Sequence, residues 1–338
     1  GNLLDTWSSI TSHPTKPFLL LLVGLALAEF ITALSVPLIG LILHGLLLLT
    51  MIIFAAFSDR KVQYRFYLVM TLAPLVRLLS LSMPLLQFEF VNWYMVIGVP
   101  LFIATFIALR MTGYKTTQVG ITFGKNWWLQ GIVILLGFGF GFLEYWILRP
   151  DPLIDSFGWQ QVVYPALILL IFTGFMEELI FRGLMQRASL QSMGRYGFLY
   201  TAAVFAVLHI GYKSILDVLF VFGVGFLFTL IVHRTNAIWG VTLSHAITNI
   251  SLFLIFPFFF AVSTPTPPVT PAPEPLDQIV APTDEIPTPT PLLKPTEIKK
   301  LGPIFVPLEE EISPKLEPTS TALPPTPTNT LPPPTGTP

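Results

Sequence analysis

Apolar residues gather in long runs through the first 262 positions, separated by short polar stretches. The run from Phe18 to Phe57 covers 40 residues. A bilayer-spanning helix needs about 20 mostly apolar residues, so this run predicts two spans, with Ser35-Val36-Pro37 as the bend between them. Seven further apolar segments lie at 66–86, 93–109, 127–148, 160–182, 197–210, 215–233 and 237–260. The 197–210 segment is short and is expected to begin or end inside the membrane. No small-residue cleavage site follows the first run, which therefore reads as a membrane helix and not a cleaved signal. The pattern predicts an all-α fold: a polytopic transmembrane helix bundle of about eight to nine spans.

The pattern changes near Val262. Residues 263–338 hold 22 of the 32 prolines and few large apolar side chains. Proline fixes its backbone and lacks a donor, so a Pro/Thr-rich stretch cannot build a packed core. A disordered C-terminal tail is expected, reaching on the order of 200 Å at about 3.1 Å per residue if extended. Its Thr-Pro repeats suit O-glycosylation, and the stretch at 292–312, richer in apolar and charged groups, has the make-up of a docking motif. Three regions follow: N-terminal transmembrane helices at 1–125, a second helical region at 126–262, and the tail at 263–338.

Only 11% of the residues are charged, against roughly 25% in soluble domains. The first 262 residues carry 14 basic and 10 acidic groups and the tail carries 4 and 9. Neither part has a basic field suited to nucleic acid. Cytoplasmic loops collect Lys and Arg. With the N-terminus inside, 11 basic residues fall on the inner side, among them Arg60, Lys115, Arg187 and Arg234, while only Arg149 and Lys213 fall outside. An integral plasma-membrane protein is expected, with a cytoplasmic N-terminus and an external tail placed to contact cell-surface material. The absence of cysteine excludes disulfides, thiolate metal sites and a cysteine nucleophile.

Against this apolar background, the stretch FMEELIFRG at 175–183 is unusual. A charged side chain at the centre of a bilayer helix costs roughly 2.5–3.5 kcal/mol on insertion scales, and such residues mark functional sites. Glu178 and Arg182 are four apart, on one helix face with the acid N-terminal, which favours an ion pair. Glu177 is rotated by about 100° from Glu178 and is left free for general-base work. FAVLH at 205–209 ends in His209, and HAITN at 245–249 places His245 and Asn249 one turn apart. Counted inward at about 1.5 Å per residue, Glu177, His209 and His245 fall at similar depth, so one cavity reached from the cytoplasmic side can hold all three. A carboxylate and an imidazole can activate water, and a histidine N–H with an asparagine amide can hold an oxyanion. The same groups are of the kind that ligate a divalent metal such as zinc. The chain lacks an H-E-x-x-H motif, so no cofactor is expected to be required.

Other polar positions give weaker signals. Glu29 and Arg77 lie near mid-span and can pair; Glu144 is expected to pair outward with Arg149. His233 sits at a helix end, where a cation suits the dipole. Trp127, Trp128, Trp146 and Trp159 fall near interfaces, where aromatic belts form. His13 and His44 carry no interpretable signal.

EELIFR, FAVLH and HAITN, in this order on separate apolar segments, resemble the three motifs of the CPBP family, E-E-x-x-x-R, F-x-x-x-H and H-x-x-x-N. These are the type II CAAX prenyl endopeptidases and lysostaphin-resistance-like membrane proteins. The resemblance covers about residues 125–255, so that 126–262 reads as a CPBP-like core. It implies an α-helical intramembrane endopeptidase. Glu177 would be the catalytic carboxylate, His209 would help activate the water, and His245 and Asn249 would stabilise the oxyanion, with Glu178 and Arg182 in support. It implies a peptide or membrane-protein substrate met among membrane lipids. A non-proteolytic binding, immunity or scaffold protein built on the same fold is the alternative. A transporter fits less well, as no duplicated halves or paired broken helices are evident.

Overall fold

Each long apolar run forms a helix, because a backbone in lipid must satisfy its own hydrogen bonds. The computed structural model describes residues 16–34, 37–82 and 90–260. The Pro/Thr-rich tail at 263–338 and its 292–312 stretch lie outside the described residues, as do His13 and the Ser35-Val36 part of the expected bend. Among the described residues every regular element is helical. The helices are α1 (Lys16–Ala33), α2 (Pro37–Ala56), α3 (Lys61–Leu81), α4 (Phe90–Thr112), α5 (Trp127–Leu148), α6 (Trp159–Met193), α7 (Tyr196–Val207), α8 (Ile215–Thr235) and α9 (Trp239–Phe260). Seven of them are long and apolar enough to cross a membrane, while α1 and α7 are shorter. The protein is an integral membrane protein.

Two helices depart from the spans expected from hydropathy. α3 starts at Lys61, not near 66, because its first turns are polar yet helix-forming. Arg65 is anchored there, its Nε donating to the Thr112 carbonyl at 2.7 Å and its guanidinium lying 4.6 Å from the Tyr114 ring centroid. α6 continues 35 residues, about 50 Å at about 1.5 Å per residue, well past Arg182 where the apolar run ends. Gly194, at φ 58° and ψ −138°, follows its last turn and lets the chain leave the helix through a positive-φ conformation open to glycine.

Lipid-facing and core-facing sides are both apolar, so burial tells them apart. α2 exposes Leu38, Ile42, Leu46 and Leu49 while burying Gly40, His44, Met51 and Ala55. One continuous core joins the N-terminal helices to the rest. Phe66 of α3 meets Tyr200 of α7 at 5.6 Å, and Phe102 of α4 meets Phe172 of α6 at 5.7 Å. Inside it, Arg77 Nε lies 2.6 Å from Glu29 Oε1, a pairing the sequence allowed, and His44 Nε2 adds a second contact to the same oxygen at 3.4 Å. This triad clamps α1, α2 and α3 together.

α9 lies against α5 and α6. A Cβ at Gly137 would meet the Ser244 carbonyl at 2.4 Å, and one at Gly141 the Thr248 carbonyl at 2.7 Å. Only glycine permits this approach. The Thr248 hydroxyl lies 3.0 Å from the Gly137 carbonyl across the same seam and 2.9 Å from the Ser244 carbonyl of its own helix, so the two carbonyls share its one hydrogen. The basic-rich connections gather at one end of the bundle, where Tyr114 donates to Gln191, Lys125 N–H to the Thr235 carbonyl and Asn126 to the Arg234 carbonyl.

Candidate active site

Most of α6 near the glutamates is not plain α-helix. Residues Leu169–Phe175 and Leu179–Met185 form π turns on either side of the α turn Met176–Glu178, and Ser251–Ile255 forms another in α9. π turns bond i to i+5 and recur at functional sites. Here the wider turns set both glutamates into the bundle, where Glu177 is 4% and Glu178 0% exposed.

The i,i+4 pair forms as its spacing predicts: Arg182 Nη1 donates to Glu178 Oε1 at 3.0 Å. The same oxygen faces His245 Nδ1 at 2.8 Å. A carboxylate oxygen accepts, so Nδ1 carries the hydrogen. The other ring nitrogen, His245 Nε2, lies 3.7 Å from Glu177 Oε2, beyond hydrogen-bond length. Glu177 is thus near an imidazole but not committed to it.

The F-x-x-x-H segment supplies a ring that touches the others. Phe205 packs at 4.7 Å from the His209 ring, 6.1 Å from the His245 ring and 4.9 Å from Phe181. Arg182 lies 4.1 Å over its face and 5.4 Å from Phe228, where the ring quadrupole favours a cation. His209 Nδ1 donates to the Phe205 carbonyl at 2.8 Å. A carbonyl cannot donate, so a hydrogen sits on Nδ1, and in the neutral ring Nε2 then keeps its lone pair. Asn249 Nδ2 donates to Thr173 Oγ1 at 3.0 Å.

Of the six residues predicted from sequence, Glu177, Glu178, Arg182 and His245 meet directly, while His209 joins them through Phe205 and Asn249 through Thr173, four positions before Glu177. Thr173 was missed, although it is the one polar side chain in the apolar run 167–176 and lies four positions before Glu177. Glu144 was misread. It does not turn outward to Arg149 but is 4% exposed, within electrostatic range of Asp217. Arg149 instead lies 3.6 Å over the Trp146 ring. His44, which gave no signal, belongs to the Glu29 triad.

Two carboxylates and one guanidinium leave this buried set one negative charge in excess. An uncompensated buried charge is costly. One further proton would bring the set to neutrality, and His245 Nε2, the ring nitrogen that faces Glu177, is an open position for it. A crevice of about 60 Å³ opens beside Arg182, lined also by Gln118, Gln186, Arg187 and His233. Among the described residues no three His, Asp or Glu side chains converge as a metal ligand set.

Neither the curated proteins nor the solved structures gave a match. A family model, described as Rce1-like: Type II CAAX prenyl endopeptidase Rce1-like, matches residues 159–251. That segment contains Thr173, Glu177, Glu178, Arg182, Phe205, His209, His245 and Asn249, and leaves α1–α5 and the tail outside it. The helices that converge on the two glutamates thus lie in the segment, residues 159–251, that matches the Rce1-like domain of the type II CAAX prenyl endopeptidases.

Proposed function

We propose that this domain hydrolyses peptide bonds within the membrane, using a water activated by Glu177. The observation that carries the reading is the His245 imidazole, fixed by Glu178 through Nδ1 and facing Glu177 through Nε2. Arg182 holds Glu178, so the scaffold of the site is spent on one carboxylate and the other is left to act.

Glu177 takes a proton from the water as its oxygen attacks the carbonyl carbon. His209 Nε2, with its lone pair free, accepts a hydrogen bond from the second water hydrogen, which stays on the attacking oxygen, and so orients the attack. The carbonyl oxygen becomes an oxyanion and accepts from the second N–H of Asn249 and from His245 Nε2, which donates with the ring doubly protonated. Collapse breaks the C–N bond, and the amine leaves with the proton that Glu177 had taken. The products are a carboxylic acid and an amine, and Glu177 ends ionised as it began. The substrate is a peptide or membrane protein presented at membrane depth, and the protein is placed in the plasma membrane with its basic end inside.

Comparison of the membrane and secreted peptides of cells carrying the wild type with those carrying Glu177→Ala tests this. Peptides released only by the wild type are expected. Identical peptide sets from two equally inserted proteins would favour a binding or immunity role instead.

A further inference from the structure

We propose that Thr173 is a positioning residue that fixes which way Asn249 presents its amide to the reacting carbonyl. The inference rests on the hydrolytic reading above. Thr173 is 2% exposed and stands on α6 in the π turn next to the glutamates. Its hydroxyl donates to the Leu169 carbonyl at 2.5 Å. A hydroxyl has one hydrogen, and this bond uses it, so toward Asn249 Thr173 Oγ1 can only accept.

That settles an orientation which is otherwise ambiguous. An asparagine amide can turn either its NH2 or its oxygen toward a neighbour, and its network decides which. Facing an acceptor-only oxygen at 3.0 Å, Asn249 must turn its NH2 inward. One N–H is held by Thr173 and the second remains for an oxyanion. With the amide turned over, Oδ1 would sit against Thr173 Oγ1 without a hydrogen between them, and an acceptor would face the developing negative charge. Leu169, Thr173 and Asn249 thus form a one-way relay from the α6 backbone to the oxyanion donor. Asn249 is 6% exposed, so no bulk water replaces the lost partner.

The test uses full-length protein in proteoliposomes and a synthetic peptide spanning a cleavage site that wild-type cells cut and Glu177→Ala cells do not. Thr173→Val removes the acceptor with little change in shape. It is expected to lower kcat about tenfold to a hundredfold with KM nearly unchanged, since loss of an oxyanion donor costs about 10²–10³ in kcat. Thr173→Ser keeps the hydroxyl and should restore most of the rate. In an Asn249→Ala background, Thr173→Val should change kcat less than twofold. An equal loss in both backgrounds, an effect on KM alone, or no recovery with Ser would overturn the proposal while leaving the hydrolytic reading intact. If no peptide distinguishes wild type from Glu177→Ala, the hydrolytic reading falls, and this inference with it.

Discussion

In the proposed mechanism adjacent glutamates in one helix turn carry opposite duties, and substitution should separate them. Glu177→Gln keeps the shape and every hydrogen bond described, so it should insert and melt as the wild type while losing cleavage by about 10²–10⁴-fold, the range of general-base catalysis. Glu178→Gln should behave otherwise. It leaves Arg182, 2% exposed, without its counter-charge, and removing one partner of a buried pair costs about 3–5 kcal/mol. A lowered melting temperature in detergent, partly recovered by adding Arg182→Met, would bear this out; unchanged melting of the single variant would contradict it. The Glu178–Arg182 pair was legible because i,i+4 geometry is local. The His245 contacts were not, since nothing in a one-dimensional spacing says which nitrogen of a ring on another helix meets which oxygen. Thr173 was invisible for the same reason: its role depends on an amide 76 positions away.

At the scale of elements, the site depends on how near α9 comes to α5 and α6. Gly137 and Gly141 set that distance. Gly137→Val should push α9 outward, cost about 1–3 kcal/mol as overpacking does, and lower activity by displacing His245 and Asn249 without touching either. Gly139 is the internal control, as a Cβ there meets nothing within 4 Å; Gly139→Val should melt and cleave as the wild type. Equal losses in both variants would refute the seam. Hydropathy placed most spans to within a few residues, because lipid demands length and apolarity. It missed the start of α3 and the far end of α6, where helix continues through polar residues. The π turns left no trace in periodicity, since a register change of one residue is lost in sequence that is apolar all round.

Across the whole molecule, the N-terminal helices and the family domain share one core, and the Glu29–Arg77–His44 triad sits inside it. Arg77→Met should lower the melting temperature and, through the shared core, the yield of inserted protein; full yield and stability would show the clamp to be dispensable. The basic residues that gather at one end of the bundle predict that a reporter fused after residue 262 is active outside the cell and one placed in the 113–125 connection inside, and the reverse result would invert the orientation. The central claim is that Glu177 acts on peptide bonds. Its most direct measurement is the membrane and secreted peptidome of cells expressing the wild type or Glu177→Ala at matched levels. Cleavage products are expected in the first and not in the second. Products that persist at wild-type levels in the Glu177→Ala cells would contradict it.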